Sequence, residues 1–239
     1  MTLLVSVTGI DGCGKTTAID WATKLSSSSN TIVELWKPTS YTNNQTRYEI
    51  ETIFTQKVNN FISLANKQEH RGMISLSKGI QFLDQRLLLK SIYSDIKPDM
   101  IISNRDPIID SIVYSVFYAP ITKYLTMEQK ISILKILSWR DLPHLLVFMD
   151  IKPELAHSRI IDRLEPNTRI DIHESLPNLH KLRWYYLNVL DYLDQHHDVK
   201  IELIDVTNKN PKQVAQKLST IIYKEMILKS ASLTPPIDG

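Results

Sequence analysis

Cysteine is almost absent: Cys13 stands alone among 239 residues, so a disulfide within the chain is excluded and a reducing, cytoplasmic compartment is the expectation. An excess of charge of one sign is also lacking. With 28 basic against 26 acidic residues the net charge is +2, which gives no electrostatic reason to expect nucleic acid as a partner. No apolar run approaches the roughly 20 residues that a bilayer-spanning helix needs. The first apolar run is followed by Lys15 and does not resemble a signal peptide, so no membrane association is expected. Glycine is scarce too, with six in the chain, yet three of the six fall within residues 9–14. That concentration marks the region where backbone freedom is needed.

The apolar content of 43% supplies a core for one α/β domain, read as residues 1–228, with a tail over 229–239 that has no periodicity and is expected to be disordered. Leu3-Leu4-Val5-Ser6-Val7 is a nearly continuous apolar run of the kind that forms a buried parallel strand. Similar runs occur at Thr31–Trp36, Met100–Ser103, His144–Asp150 and Ile201–Val206. Between them lie helical spacings: Ala18, Ile19, Ala22 and Leu25; Ile108 to Phe117 behind Pro107; a start at Lys152-Pro153-Glu154; and Pro211 to Leu228. The stretch from Thr42 to about Ser94 reads as two or three further helices. Five strands alternating with helices predict a five-stranded parallel sheet covered on both faces, with ligands bound at the carboxyl ends of the strands.

Gly9-Ile10-Asp11-Gly12-Cys13-Gly14-Lys15-Thr16 fits G-x-x-x-x-G-K-[ST] at every fixed position, and it lies between a strand and a helix. In that setting the backbone amides face a phosphate chain and the helix N-terminus adds positive partial charge. Lys15 reaches the β- and γ-phosphates, and the Thr16 hydroxyl, next to Thr17, can ligate Mg²⁺. ATP and Mg²⁺ are therefore the expected cofactors. Cys13 sits among the loop amides, where a helix N-terminus lowers a thiol pKa, and its alkylation is expected to block nucleotide binding; a small residue that merely fits is the plainer reading. The guanine signature Asn-Lys-x-Asp is incomplete at Asn208-Lys209-Asn210-Pro211, which points away from a GTPase and toward a small-molecule kinase.

Val7 through Thr17, together with Lys37-Pro38-Thr39, Phe82 and Arg86 four residues apart, Ser103-Asn104-Arg105-Asp106, and the segment from Asp150 to Tyr185-Tyr186-Leu187, resembles the thymidylate kinase family of P-loop nucleoside monophosphate kinases. The resemblance implies P-loop kinase architecture with a lid over about 159–175, and transfer of phosphate from ATP to a deoxynucleoside monophosphate, dTMP foremost. It implies that Asp11 approaches the acceptor's 3′-hydroxyl, that Pro38 lies beside the acceptor, that Phe82 and Arg86 hold its base, and that Arg105 holds its phosphate. Arg163 and Arg169 are the implied lid cations, with Arg159 at the hinge, and Val206-Thr207 the adenine side. It also implies a homodimer. Asn104 stands where the family carries aspartate, and Asp110, Ser111 and Tyr114 fit its spacing only after a shift. Two other readings stay open: a deoxynucleoside kinase, needing Asp106 or Glu34 as a base, and a nucleotide-binding regulator with little transfer activity. His196-His197 is read as a loop pair, and Trp139 and Trp184 as packing residues.

Overall fold

A computed structural model describes residues 2–26, 31–37, 40–43, 46–49, 60, 88–165 and 170–232. Strand β1 (Leu3–Thr8) is buried along its whole length. It leads through the glycine-rich loop into helix α1 (Lys15–Ser26), and the chain returns as β2 (Ile32–Lys37). A hairpin, β3 (Ser40–Asn43) and β4 (Thr46–Glu49), follows. After a π-helical turn at Ile92–Ile96 come β5 (Met100–Ser103), α2 (Ile109–Tyr118), a 3-10 turn at Pro120–Tyr124 and α3 (Met127–Ser138). The rest is β6 (Leu145–Asp150), α4 (Pro153–Ile161), a 3-10 turn at Ile172–Glu174, α5 (Leu176–His196), β7 (Lys200–Asp205) and α6 (Pro211–Ser232).

The strands form one mixed sheet in the order β4-β3-β2-β5-β1-β6-β7. The five expected strands run parallel in its β2-to-β7 portion, and the antiparallel β3–β4 hairpin extends the β2 edge. The hairpin corrects the helical reading over Thr42 to Glu49; the further helices read from there to about Ser94 lie, over 50–59 and 61–87, outside the described residues. Tyr41, Thr42 and Tyr48 favour pleated backbone, and Tyr41 and Tyr48 sit opposite each other with rings stacked at 5.0 Å. Helix α3 was not anticipated, although Thr126 and Gln129 form a capping box that fixes its start. Helix α6 continues to Ser232, so residues 229–232 belong to it rather than to a tail. No helix breaker precedes Pro235, and Lys229 donates to the Thr2 carbonyl at 3.3 Å.

Side-chain alternation along β1 divides the interior. Leu3, Val5 and Val7 join the main core with Ile19, Ala22, Val214 and Leu218 of α1 and α6. On the other face Leu4 packs with Val33, Leu35, Leu88, Leu89, Ile92 and Ile101. Ser6 and Thr8 share that second face, and their hydroxyls meet carboxylates of the chain following β5. The carboxyl ends of β1 and β5 are thereby fastened side by side. Trp139 and Trp184 do not pack as expected, being 49% and 59% exposed. Trp139 instead closes α3 in a left-handed conformation, and Trp184 meets Tyr185 edge-on.

Candidate functional site

The glycine loop is held by backbone contacts that no larger residue would permit. Gly12 has φ +84°, and a Cβ there would lie 2.5 Å from the Ala156 carbonyl oxygen of α4. A Cβ on Gly9 would lie 2.6 Å from the Met149 carbonyl oxygen of β6. The loop is thus pressed against both neighbouring elements at the sheet's carboxyl edge. Lys15 is buried, its ammonium donating to the Gly9 carbonyl at 2.6 Å and the Ile10 carbonyl at 3.1 Å. Arg159 of α4 reaches the Gly12 carbonyl at 3.4 Å. Thr16 and Thr17 are exposed at the start of α1.

At Cys13 burial favours the plainer reading, a small residue that fits the loop, over a reactive thiol. Cys13 is only 2% exposed, and burial pushes its pKa up against the opposing pull of Lys15. Iodoacetamide should therefore leave Cys13 unmodified in the folded protein and modify it in urea. Mass spectrometry of both samples checks this, and rapid labelling of the native chain would show that the thiol is accessible.

Asp11 is the hub of the loop. Its Oδ1 accepts from Arg105 at 2.8 Å, and its Oδ2 accepts from the Tyr114 hydroxyl at 2.7 Å and faces His173 Nε2 at 3.2 Å. Burial by itself would raise the Asp11 pKa. The hydrogen bond from His173 and the positive charges of Arg105 and Lys15 outweigh burial and hold the carboxyl well below its ordinary range. The folded-state pKa thus lies below the unfolded value, so this stabilisation is present above the ordinary value of 3.8 and is lost as pH falls toward the folded value. Asp11→Asn should accordingly be less stable than wild type near neutrality, with the gap closing below about pH 4. Urea unfolding of both proteins at several pH values measures that gap; a gap independent of pH would show that the carboxylate's charge contributes nothing.

The β5–α2 connection supplies the facing residues. Asn104 Nδ2 donates to the Thr16 hydroxyl at 3.0 Å. Arg105 pairs with Asp11 while its side chain stays half exposed, and its guanidinium lies 5.4 Å from the Tyr114 ring centre. Asp106 is buried and accepts from Ser6 at 2.5 Å and from the backbone N–H groups of Ile108 and Ile109 at 2.8 and 2.9 Å. Asp110, also buried, accepts from Thr8 at 2.9 Å, from the Tyr186 hydroxyl of α5 and from the Asp106 backbone N–H. These two carboxylates brace the sheet edge rather than face a ligand. Glu34, the other candidate base, is 7% exposed. Burial raises its pKa despite a hydrogen bond with Thr23 of α1, which places it under that helix.

Arg163 is exposed and donates to the Arg159 carbonyl at 3.1 Å. Pro38, Phe82, Arg86 and Arg169 lie outside the described residues. Asp150, at the end of β6, receives both arms of Arg183 at 2.7 Å. The expected loop pair instead closes α5, with His196 as its last residue and His197 as its C-cap, paired with Glu128 at 3.1 Å. Sequence reasoning did not single out His173, Tyr118 or Arg183, and left Tyr114, Asp110 and Tyr186 without these roles. Asp110 and Tyr114 are one turn apart on α2, a spacing that puts two polar groups on one face, but nothing local identifies their partners. As a candidate cation site, Thr16 and Asn104 offer one hydroxyl and one amide, a donor set that suits Mg²⁺ only with phosphate oxygens and water completing the shell. Among the described residues no helix is long and apolar enough to cross a membrane. The chain matches none of the protein-family models and none of the curated proteins with which it was compared.

Proposed function

We propose that the chain transfers the terminal phosphoryl group of Mg-ATP to a deoxynucleoside monophosphate, most naturally dTMP, within a P-loop kinase architecture. One observation carries the reading: Lys15, Asp11, Thr16, Asn104, Arg105 and Arg159 converge on a single glycine loop at the carboxyl ends of β1, β5 and β6. Backbone amides of that loop and the N-terminus of α1 offer a cradle for the ATP phosphates. Lys15 is the cation inside it, and Arg105, half exposed beside Asp11, is the cation for the acceptor phosphate. An acceptor phosphate oxygen is already a nucleophile at neutral pH, so no general base is required. That suits a site whose nearest buried carboxylates, Asp106 and Asp110, are occupied with structural donors. Mg²⁺, held through Thr16, would supply charge neutralisation on the phosphate oxygens. Arg159, Arg163 and Arg169 are the proposed cations of the segment over 159–175, and Phe82 and Arg86 the proposed base contacts. Ile121, Tyr124 and Ile136 are exposed apolar side chains, and the homodimer implied by the resemblance would give such side chains a cover.

The deoxynucleoside kinase reading would need a carboxylate facing a sugar 5′-hydroxyl, and the burial of Asp106 and Glu34 gives it no support. The test is coupled ADP release with Mg-ATP against dTMP, dUMP, dCMP, dGMP, UMP and thymidine, with a no-acceptor control. Selective turnover of dTMP is the expected outcome. Turnover of thymidine alone would move the assignment to a nucleoside kinase. ATP binding without acceptor-dependent release would favour the regulator.

A further inference from the structure

His173 sits in the short 3-10 turn Ile172–Glu174, near the end of the segment over 159–175, yet its ring is wedged between the glycine loop and the end of α2. Both ring nitrogens are engaged: Nδ1 with the Tyr118 hydroxyl at 2.5 Å and Nε2 with Asp11 Oδ2 at 3.2 Å. The rings of Tyr114 and Tyr118 meet it edge-on at 5.3 and 5.8 Å, and its side chain is 12% exposed. A neutral imidazole with its proton on Nε2 satisfies the whole chain, Tyr118 O–H donating to Nδ1 and Nε2–H donating to Asp11. The terminal torsion of an aspartate is soft, so what fixes which oxygen faces outward is the set of donors around it. Here Oδ2 takes two donors, Tyr114 and His173, and Oδ1 takes one, Arg105. A carboxylate offers about four acceptor positions. Among the described residues, the place left over is therefore on Oδ1, beside the Arg105 guanidinium.

We propose that His173 is a positioning residue: by pinning Oδ2 it presents Oδ1 of Asp11 to a sugar hydroxyl of the acceptor, and so sets the preference for acceptors that carry that hydroxyl. The inference rests on the kinase reading above.

The experiment compares kcat/KM for dTMP and for its 3′-deoxy analogue, with saturating Mg-ATP, in the wild type, His173→Ala and His173→Gln. The wild type should favour dTMP. His173→Ala should shrink that preference about tenfold, as loss of one hydrogen bond to a charged group does, with the KM for ATP within about twofold. His173→Gln keeps an N–H donor and should restore most of the preference. Equal slowing of both acceptors in His173→Ala, or an unchanged preference, would reduce His173 to a packing residue and overturn the inference while the kinase reading stands. A wild type indifferent to the hydroxyl would overturn it as well. A wild type that turns over neither acceptor would instead sink the kinase reading, and this inference with it. Should His173→Ala fail to fold, Tyr118→Phe removes the donor to Nδ1 and is read in the same way, with a smaller change expected.

Discussion

Lys15→Ala is expected to lower turnover by at least about a hundredfold, the cost of losing a charge contact made in the transition state. The Lys15 ammonium is buried within the loop and bonded to the Gly9 and Ile10 carbonyls, so it is already confined to the volume where phosphates would lie. It needs only to exchange carbonyl oxygens for phosphate oxygens, a small rearrangement for a flexible four-carbon stem. Fold integrity is expected to survive, because the ammonium bonds carbonyls of its own loop, those of Gly9 and Ile10, and joins no distant element to it. Steady-state kinetics with circular dichroism on the same samples separate the two effects. Near-normal turnover by Lys15→Ala would remove the glycine loop from the catalytic site altogether.

Arg105→Ala should also cost about a hundredfold or more in turnover with a monophosphate acceptor. Its stability penalty should be modest, since the guanidinium is half exposed and the Asp11 carboxylate, though it loses one cation, keeps the Tyr114 hydroxyl and His173 beside it. The kinetic loss should fall on kcat as well as on the KM of the acceptor, while the KM for ATP changes little. That split distinguishes a cation that grips the acceptor phosphate from one that shapes the loop. Arg105→Lys should recover only part of the activity, because a single ammonium cannot reproduce two parallel N–H contacts to phosphate. Unimpaired turnover by Arg105→Ala would place the acceptor elsewhere on the sheet edge.

Asn104 acquires a physical role from its position. Its amide donates to the Thr16 hydroxyl, joining the first turn of α1 to the end of β5. A carboxylate at this place would accept from the same hydroxyl, so the amide reverses the direction of the bond. Were a cation held through Thr16 as proposed, the hydroxyl's lone pairs would be shared with a donor rather than reinforced by a charge.

The glycine loop, the five parallel strands and the start of α4 were legible because each is written locally. A continuous apolar run, a glycine cluster and a proline in a first turn constrain the backbone within a few residues of themselves. The capping box at Thr126 and Gln129 carried the same kind of signal for α3. The β3–β4 hairpin was misread because its β-favouring residues fill two short strands of four residues each, too brief for a pattern, whose place is set by pairing with β2 across a register shift between Leu35 and Lys37. The bracing carboxylates and the Asp11 hub were out of reach for a different reason. Thr8 and Asp110 are 102 residues apart, and Asp11 and Tyr114 are 103 apart; His173 comes from beyond the next strand. Sequence alone determined that a strand, a glycine turn and a helix stand in succession with a lysine and an aspartate in the turn. Which side chains surround that aspartate, and which of its oxygens remains open, only the tertiary structure decided, because those contacts form when sheet order and helix packing bring separate polar groups out of water together, where each must find a partner.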